Sequence, residues 1–333
     1  MKDSVAYTQS GKFTVDELKD MIAHHVGPQH VPENVNVITD TSNFFRIDYD
    51  DVVVLNNRPY LIRHHEREGR FGIDEQPKFW VKRAVDLKDG SMKIIKMVFP
   101  ERFTARVGDL SFDCVRSPKK EARILELVKG HGNFMQGFST LDSAGNIVRI
   151  VDYIPGTMID SMVANLGKKH EDYFYDDFPA ILNHYIELVR AIKFLHDNGE
   201  KHGDIRRDHI IKGRGERSYR WIDFDYNYWH KENMFGFDLF GLGNVLVYLA
   251  GAGDITTQEL KKDDPSAFGR LAPDDINIMF SNRVVNLQKI YPYIPDVLNF
   301  ILLHFSRGTD VFYDDTEQFL EDLREAGDSL CYS

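Results

Sequence analysis

The chain has 333 residues, of which 42% are hydrophobic and 28% charged, and it carries a net charge of −11. This composition is typical of a globular protein that is large enough for one large core or two smaller domains. The negative charge argues against nucleic acid or an anionic membrane as the main partner. Cys114 and Cys331 show no metal-ligand spacing, no signal-peptide segment opens the chain, and the longest apolar run, residues 239–252, is too short to span a bilayer. We therefore expect a cytoplasmic protein without a membrane partner.

The first 45 residues are predicted to form an N-terminal extension. Thr14 and Glu17 have the spacing of a capping box, which predicts a short helix that continues to about His25. Pro28 and Pro32 end it. This segment either covers a neighbouring domain or binds a partner.

Residues 46–154 are predicted to form a small β-rich domain. The runs DVVVL, RPYLIRHH, KFWVKRAVDL and SMKIIKMVF are rich in β-branched and aromatic residues, and Asp89-Gly90 is a strong signal for a tight hairpin. A loop that contains Cys114 follows, and Ser117-Pro118 then starts a helix. Two further strands complete the sheet, which ends near Pro155.

Residues 155–333 are predicted to be mostly helical, with a long amphipathic helix at 178–196 and an apolar, buried helix at 238–249. Between them, residues 200–226 form a predicted hairpin that brings Asp204 and Asp223 to the same end of a small sheet. With two carboxylates held there, one is suited to act as a base or positioning group and the other as a ligand of a hard cation. The whole chain is therefore predicted to be an α+β protein.

These segments resemble the protein-kinase-like superfamily from about residue 50 to 325. The sequence HGDIRRDHII resembles the catalytic loop, and WIDFDY resembles the metal-binding DFG segment. The resemblance implies that Asp204 is the catalytic base and that Asp223 binds magnesium together with ATP. Arg206 takes the place of the catalytic-loop lysine and keeps a cation near the transferred phosphate.

The segment KIIK resembles the VAIK strand, which makes Lys96 the residue that contacts the ATP phosphates, with Lys93 as its rival. Glu121 lies at the place of the family's lysine-pairing glutamate. A lysine on a half-buried strand needs such a partner to stay charged.

Two further segments agree with this resemblance. IVDYIPG is similar to the inter-lobe hinge, so backbone groups of Asp152, Tyr153 and Ile154 are expected to bind the adenine. The segment GFDLFGLGNVLVYLAGAG is similar to the buried C-lobe helix, in which Asp238 holds the backbone of the catalytic loop. Its Gly-x-Gly at 241–243 is expected to serve close helix packing.

The chain departs from the family in its metal and phosphate ligands. His209 stands where an asparagine normally completes the metal site, and imidazole suits softer metals than magnesium, so manganese is a possible alternative. Asp225 is either a substitute ligand or a solvated turn residue. No GxGxxG loop is present, and the corresponding hairpin tip has only Gly69 and Gly72.

The segment from Asp225 to Asp238 is also too short for an activation loop, and Gly203 replaces the arginine that senses its phosphorylation. Regulation by activation-loop phosphorylation is therefore not expected. The last helix resembles that of bacterial serine/threonine kinases, whereas HGD and IDFDY resemble aminoglycoside- and choline-kinase-like enzymes.

The expected architecture is a bilobal kinase-like fold with an extension (1–45), an N-lobe (46–154) and a C-lobe (155–333). The expected function is transfer of the γ-phosphate of ATP, with Mg²⁺ or Mn²⁺, to a hydroxyl of a protein or small molecule. A nucleotide-binding pseudokinase is an alternative. A metal-hydrolase site formed by His196, His202, His209 and their neighbouring aspartates is another, but it leaves Lys96 and Glu121 without a role. The sequence does not predict an oligomeric state.

Overall fold

The computed structural model of the protein describes residues 13–70, 73–215, 219–230, 233–309 and 311–331. In chain order the strands are β1 (Val37–Ile38), β2 (Val52–Leu55), β3 (Arg58–Arg70), β4 (Ile73–Asp86), β5 (Met92–Lys96), β6 (Arg102–Val107), β7 (Leu110–Arg116), β8 (Gly137–Leu141), β9 (Ile147–Asp152), β10 (Gly156–Met158), β11 (Ile210–Gly213), β12 (Tyr219–Trp221) and β13 (Tyr226–Trp229). The α-helices are α1 (Val15–His25), α2 (Pro118–Leu127), α3 (Ile159–Ala164), α4 (His170–Asp176), α5 (Phe178–Asp197), α6 (Gly236–Ala250), α7 (Thr257–Asp263), α8 (Pro265–Gly269), α9 (Asp296–Leu303) and α10 (Thr316–Cys331).

The chain forms two compact units. The first takes in the residues up to Pro100 together with 117–130 and 135–154, and the second takes in 101–116, 131–134 and 155–333. Residues 101–116 and 131–134, which the sequence assigns to the N-lobe, thus lie in the second unit, and the extension lies in the first. With a β-rich first unit and a mainly helical second unit, the protein has the predicted α+β, bilobal kinase-like fold.

The first unit is built on a seven-stranded sheet in the order β1-β2-β3-β4-β5-β9-β8. Alternate residues of its strands point to opposite faces, as in Val52 and Val53, which belong to two different core clusters. One cluster includes Tyr60, Ile95 and Ile150. The sheet is therefore covered by apolar contacts on both faces.

The N-terminal extension supplies part of that cover. The predicted capping box is present, since the Thr14 side chain accepts a hydrogen bond from the Glu17 amide and the Glu17 carboxylate accepts one from the Thr14 amide. On the helix that follows, Leu18 and Ile22 are fully buried against a cluster that includes Leu61. Of the two roles considered for the extension, covering the sheet is the one observed.

The segment that follows the extension is held by a buried lysine. The Nζ atom of Lys82, a fully buried residue of β4, lies 2.7 Å from the carbonyl oxygen of Ile47 and 2.8 Å from Nδ1 of His65. The Nε2 atom of His65 lies 3.0 Å from a carboxylate oxygen of Asp48. Burial lowers the pKa of Lys82 to about 8.

This lowered pKa predicts a rise in stability with pH. Between about pH 8 and the ordinary lysine pKa of 10.5, the unfolded chain keeps the Lys82 proton that the folded chain has lost. The free energy of unfolding should therefore increase with pH there, by up to about 1.4 kcal/mol per pH unit. Urea unfolding from pH 7 to 10 should show this slope in the wild type and a smaller one in Lys82→Met. The exposed Lys261→Met variant serves as control, and an equal slope in all three proteins would contradict the assignment.

The second unit is organised around α5 and α6. The indole nitrogen of the fully buried Trp221 donates to the Leu188 carbonyl of α5 at 2.9 Å. On α6, a Cβ atom at Gly243 would lie 2.2 Å from the Phe305 ring, and one at Gly241 would lie 2.7 Å from Cβ of Ile205. The Gly-x-Gly of this helix therefore permits close packing, as predicted. Within the described ranges, no helix is both long and apolar enough to cross a bilayer.

Residues 102–116 form a hairpin, so the predicted loop around Cys114 is wrong. β6 and β7 pair antiparallel, and β7 also pairs with β13 in a sheet of order β13-β7-β6. Along β7, Phe112, Cys114 and Arg116 are buried and alternate with more exposed residues. This alternation around the turn at Gly108, which has a φ of 56°, is the strand signal that the sequence interpretation missed.

Candidate functional site

In the first unit, Lys96 and Glu121 form a buried ion pair. Lys96 ends β5 and Glu121 lies in the first turn of α2, and their side chains are only 3% and 0% exposed. The distance from Nζ to Oε1 is 2.5 Å, which confirms the predicted pair. The rival Lys93 instead donates to the more exposed carboxylate of Asp152 at 2.5 Å.

The same glutamate has a second cationic partner that the sequence interpretation missed. Arg149 lies opposite Lys96 in the pairing of β5 with β9, is fully buried, and donates from Nε to Oε2 of Glu121 at 2.9 Å. Its guanidinium also donates to the carbonyl oxygens of Ile147 and Met97, at 2.9 and 3.3 Å. Two buried cations thus share one carboxylate. An arginine within the apolar run IVRIV was the available signal.

The segment predicted to bind adenine uses two of its backbone donors within the protein. The amide of Asp152 donates to the carbonyl oxygen of Gln136 at 2.8 Å, and the amide of Tyr153 donates to that of Met92 at 3.2 Å. The guanidinium carbon of Arg83 lies 4.4 Å from the centre of the Tyr153 ring. A base bound here would therefore use carbonyl oxygens of the segment or the amide of Ile154.

In the second unit, the hairpin of β11 and β12 brings three predicted site residues together. Ile210 pairs with Trp221, so the residue before β11 and the residues after β12 lie at the same end of the hairpin. There the ring of His209 has its Nδ1 3.6 Å from a carboxylate oxygen of Asp204 and its Nε2 3.8 Å from one of Asp223. His209 is 3% exposed. The imidazole thus stands between the two carboxylates.

A backbone contact sets the tautomer of this histidine. Nδ1 of His209 lies 2.8 Å from the carbonyl oxygen of Asp204. A carbonyl only accepts hydrogen bonds, so in the neutral ring Nδ1 carries the proton and Nε2 keeps its lone pair on the side of Asp223. Metal-binding histidines commonly have this arrangement.

These two side chains could hold one metal ion only with help from other ligands. Across the described part of the chain, no three His, Cys, Asp or Glu side chains are grouped to bind a metal. The protein would supply Nε2 of His209 and the carboxylate of Asp223. Phosphate oxygens and water would supply the remaining ligands, as is usual for Mg²⁺ bound with a nucleotide.

The backbone before Asp204 is held by Asp238, as predicted. The two carboxylate oxygens of this fully buried residue accept the amides of His202 and Gly203, at 2.7 and 2.8 Å. Nε2 of His196 lies 3.1 Å from one of these oxygens. Gly203 has a φ of 85°, a conformation that glycine adopts without the strain other residues would have.

Arg206 has a carboxylate partner two residues away. Its Nε donates to an oxygen of Asp208 at 2.9 Å, and a second guanidinium nitrogen bonds the other oxygen. Burial opposes ionisation of Asp208, but the hydrogen bond and charge of Arg206, together with the nearby His209, outweigh it and lower the pKa of Asp208 below its ordinary value. A contact of Arg206 with a transferred phosphate stays a prediction.

The residues around Asp223 are held in an unusual backbone conformation. Asp223 has a φ of 58°, which costs about 1 kcal/mol for a residue other than glycine. Phe224 is fully buried and Asp225 is 1% exposed, with its carboxylate bonded to the Arg116 guanidinium. The interpretation of Asp225 as a solvated turn residue is therefore wrong.

The chain is similar to protein kinases of known sequence, although no protein-family model matches it. CBL-interacting protein kinase 11 of Oryza sativa subsp. japonica is 24% identical over 163 residues, which is 49% of this chain and 29% of that protein. CDPK-related kinase 8 of Arabidopsis thaliana is 23% identical over 159 residues, which is 47% of this chain and 23% of that protein. The matched regions thus span less than a third of these relatives.

Among solved structures, the PknI kinase domain of Mycobacterium tuberculosis is similar with a TM-score of 0.47 and 12% identity, over 80% of this chain and 96% of that domain. The order of the motifs, the geometry of their side chains and the similar sequences all agree with the resemblance of this chain to the protein-kinase-like superfamily.

Proposed function

We propose that the protein transfers the γ-phosphoryl group of ATP to an acceptor hydroxyl, as a kinase of the protein Ser/Thr kinase type. The observation that supports this most is the convergence of Asp204 and Asp223 on His209 at one end of the β11–β12 hairpin. The buried pair of Lys96 and Glu121 supplies the further group that phosphate binding requires.

Asp204 acts as the base in this proposal. It accepts the proton of the acceptor hydroxyl while the acceptor oxygen bonds to the γ-phosphorus and the bond from phosphorus to the bridging oxygen of ADP breaks. Asp238 positions Asp204 through the two preceding amides. Asp204 is part-buried, with a side chain 16% exposed, so an acceptor hydroxyl can reach it.

The remaining residues bind ATP. Asp223 and His209 hold Mg²⁺ or Mn²⁺, and such a cation, when bound, neutralises the charge of the phosphate oxygens. Lys96, kept charged and oriented by Glu121, contacts the phosphates, and Arg206 adds a second cation after exchanging its contact with Asp208. Backbone groups of Asp152–Ile154 bind the adenine.

The imidazole ligand favours manganese over magnesium, because Mg²⁺ prefers oxygen ligands. Replacing His209 with asparagine should lower the ratio of Mn²⁺ to Mg²⁺ affinity and strengthen magnesium-dependent activity. Electron spin-echo measurements on bound Mn²⁺ with ATP should detect coupling to an imidazole nitrogen in the wild type and lose it in the variant.

A matched control is His304→Asn, since Nδ1 of His304 also lies 2.8 Å from a backbone carbonyl, that of Val311. This variant should keep the nitrogen coupling. Wild-type Mn²⁺ without a nitrogen signal would remove His209 from the ligand set, and magnesium-dependent activity lost in His209→Asn would contradict the expected gain.

A nucleotide-binding pseudokinase is the second candidate. It is favoured by the contacts that occupy Arg206 and the amides of Asp152 and Tyr153 within the protein. The acceptor is proposed to be a protein, with a small-molecule hydroxyl as the alternative, and the cytoplasmic location remains a prediction.

Transfer of label from γ-labelled ATP separates these candidates. The protein is incubated with either metal and with protein or small-molecule fractions of a cell extract. A kinase of the proposed type gives acid-stable phosphoester in the protein fraction, and label in the other fraction indicates the small-molecule alternative. Nucleotide binding without transfer to either fraction would indicate the pseudokinase.

A further inference from the structure

The chain that follows Asp223 is fixed by a hairpin from a distant part of the sequence. β13 pairs antiparallel with β7, with Tyr226 opposite Arg116 and Trp229 opposite Asp113. On its other side β7 pairs with β6, so β13 is an edge of a three-stranded sheet. The backbone from Tyr226 onward is thereby tied to the β6–β7 hairpin.

The side chain of Arg116 extends this connection towards Asp223. One guanidinium nitrogen bonds the carboxylate of Asp225. Another lies 2.5 Å from the Tyr226 hydroxyl and 2.9 Å from a carboxylate oxygen of Glu101, which also accepts the Tyr226 hydroxyl. The guanidinium carbon lies 4.4 Å from the centre of the Tyr226 ring. Arg116 therefore joins both residues that follow Phe224 to the start of the hairpin.

Three members of this cluster are shielded from water. Arg116 is 6% exposed, Asp225 is 1% exposed and Tyr226 is 2% exposed. In such an environment a guanidinium that bonds several oxygens at fixed angles restricts its partners strongly. Lysine keeps the charge but has no planar fork with which to contact Asp225, Tyr226 and Glu101 together.

Asp223 itself needs such a restraint. Its φ of 58° persists only when neighbouring residues hold it. Phe224 provides one support through its ring contacts with Phe134 and His202, at centroid distances of 6.1 and 6.0 Å. Asp225, bonded to Arg116, provides the other.

We infer that Arg116 is a positioning residue, which keeps Asp223 in its metal-binding conformation by holding Asp225 and Tyr226. The β6–β7 hairpin then supplies permanently the order that phosphorylation of an activation loop supplies in switched kinases. This rests on the proposed function, since it takes Asp223 as the metal ligand. We therefore expect the protein to bind metal and ATP equally well before and after phosphatase treatment.

Two measurements on the whole protein test the inference. The first is the Mn²⁺ concentration that gives half-maximal ATP binding, and the second is amide hydrogen exchange of residues 223–229. Arg116→Met should raise the Mn²⁺ concentration at least tenfold and speed the exchange at least tenfold, whereas Arg116→Lys should recover part of both. Asp225→Asn, which keeps the shape and removes the charge, provides the same test where Arg116→Met does not fold.

Arg102→Met is the matched control, because Arg102 is exposed on the same hairpin. It should leave both measurements at wild-type values. A folded Arg116→Met or Asp225→Asn variant with wild-type metal dependence and wild-type exchange would overturn the inference. If the wild type binds no metal with ATP, the proposed function fails. In that case the exchange measurement by itself decides whether Arg116 holds residues 223–229.

Discussion

Replacing Asp204 with asparagine is expected to lower phosphoryl transfer by about 10²–10⁴-fold. Asparagine keeps the size of the side chain but cannot take the proton of the acceptor hydroxyl. The backbone of this loop should remain in place, because Asp238 holds it through the amides of His202 and Gly203. The rate of ADP release, measured with and without the acceptor fraction in the wild type and in the variant, gives the loss of transfer directly.

The loss of transfer should leave metal and nucleotide binding nearly unchanged, since Asp223 and Lys96 are untouched. Asp197→Asn is a suitable control, because its carboxylate is exposed at the end of α5. Transfer at the wild-type rate in Asp204→Asn would remove this residue from the mechanism. A wild type that binds metal and ATP but releases no ADP would favour the pseudokinase.

Replacing Glu121 with glutamine should lower the free energy of unfolding by about 3–5 kcal/mol, which is the usual cost of leaving a buried charge without its partner. Here two buried cations, Lys96 and Arg149, would share a neutral amide in place of a carboxylate. Urea unfolding of the two proteins measures the difference.

Glu126→Gln, an exposed change in the same helix, should have little effect on stability. Combining Glu121→Gln with Arg149→Met should cost less than the sum of the two single changes, because one of the two cations that share the Glu121 carboxylate is removed. Additive losses, or a stable Glu121→Gln protein, would show that the three side chains do not act as one buried cluster.

The sequence predicted those parts of the site that depend on local patterns. The capping box at Thr14, the start of α2 after Ser117 and the hairpin that joins Asp204 to Asp223 all follow from residues close together in the chain. The Lys96–Glu121 pair was predicted across 25 residues only because the order of the motifs resembles a kinase.

Contacts that depend on strand register were missed. Arg149 shares Glu121 with Lys96 because β9 pairs with β5, which carries Lys96, and Arg116 meets Asp225 across 109 residues because β7 lies beside β13. Apart from the arginine within the apolar run IVRIV, neither arrangement has a local signal, and an isolated arginine in a strand is usually assigned to the surface. The same limit left open the solvated-turn alternative for Asp225, which is wrong.

The conformation of single residues was likewise beyond the sequence pattern. Gly203 departs from the kinase motif and has a positive φ, which suits glycine. His209 also departs from it, yet the position of its ring between Asp204 and Asp223 keeps it in the site. One substitution thus serves the backbone and the other changes the chemistry offered to a metal.

The central claim is that Asp223 and a divalent metal hold ATP on this protein. Calorimetric titration of the wild type and of Asp223→Asn with ATP, in Mn²⁺, in Mg²⁺ and in a chelator, tests it most directly. We expect the wild type to bind ATP with either metal, and we expect the affinity to fall at least tenfold in the chelator and in Asp223→Asn. Two results would contradict this claim. One is that the wild type does not bind ATP with either metal, and the other is that the chelator and Asp223→Asn leave the wild-type affinity unchanged.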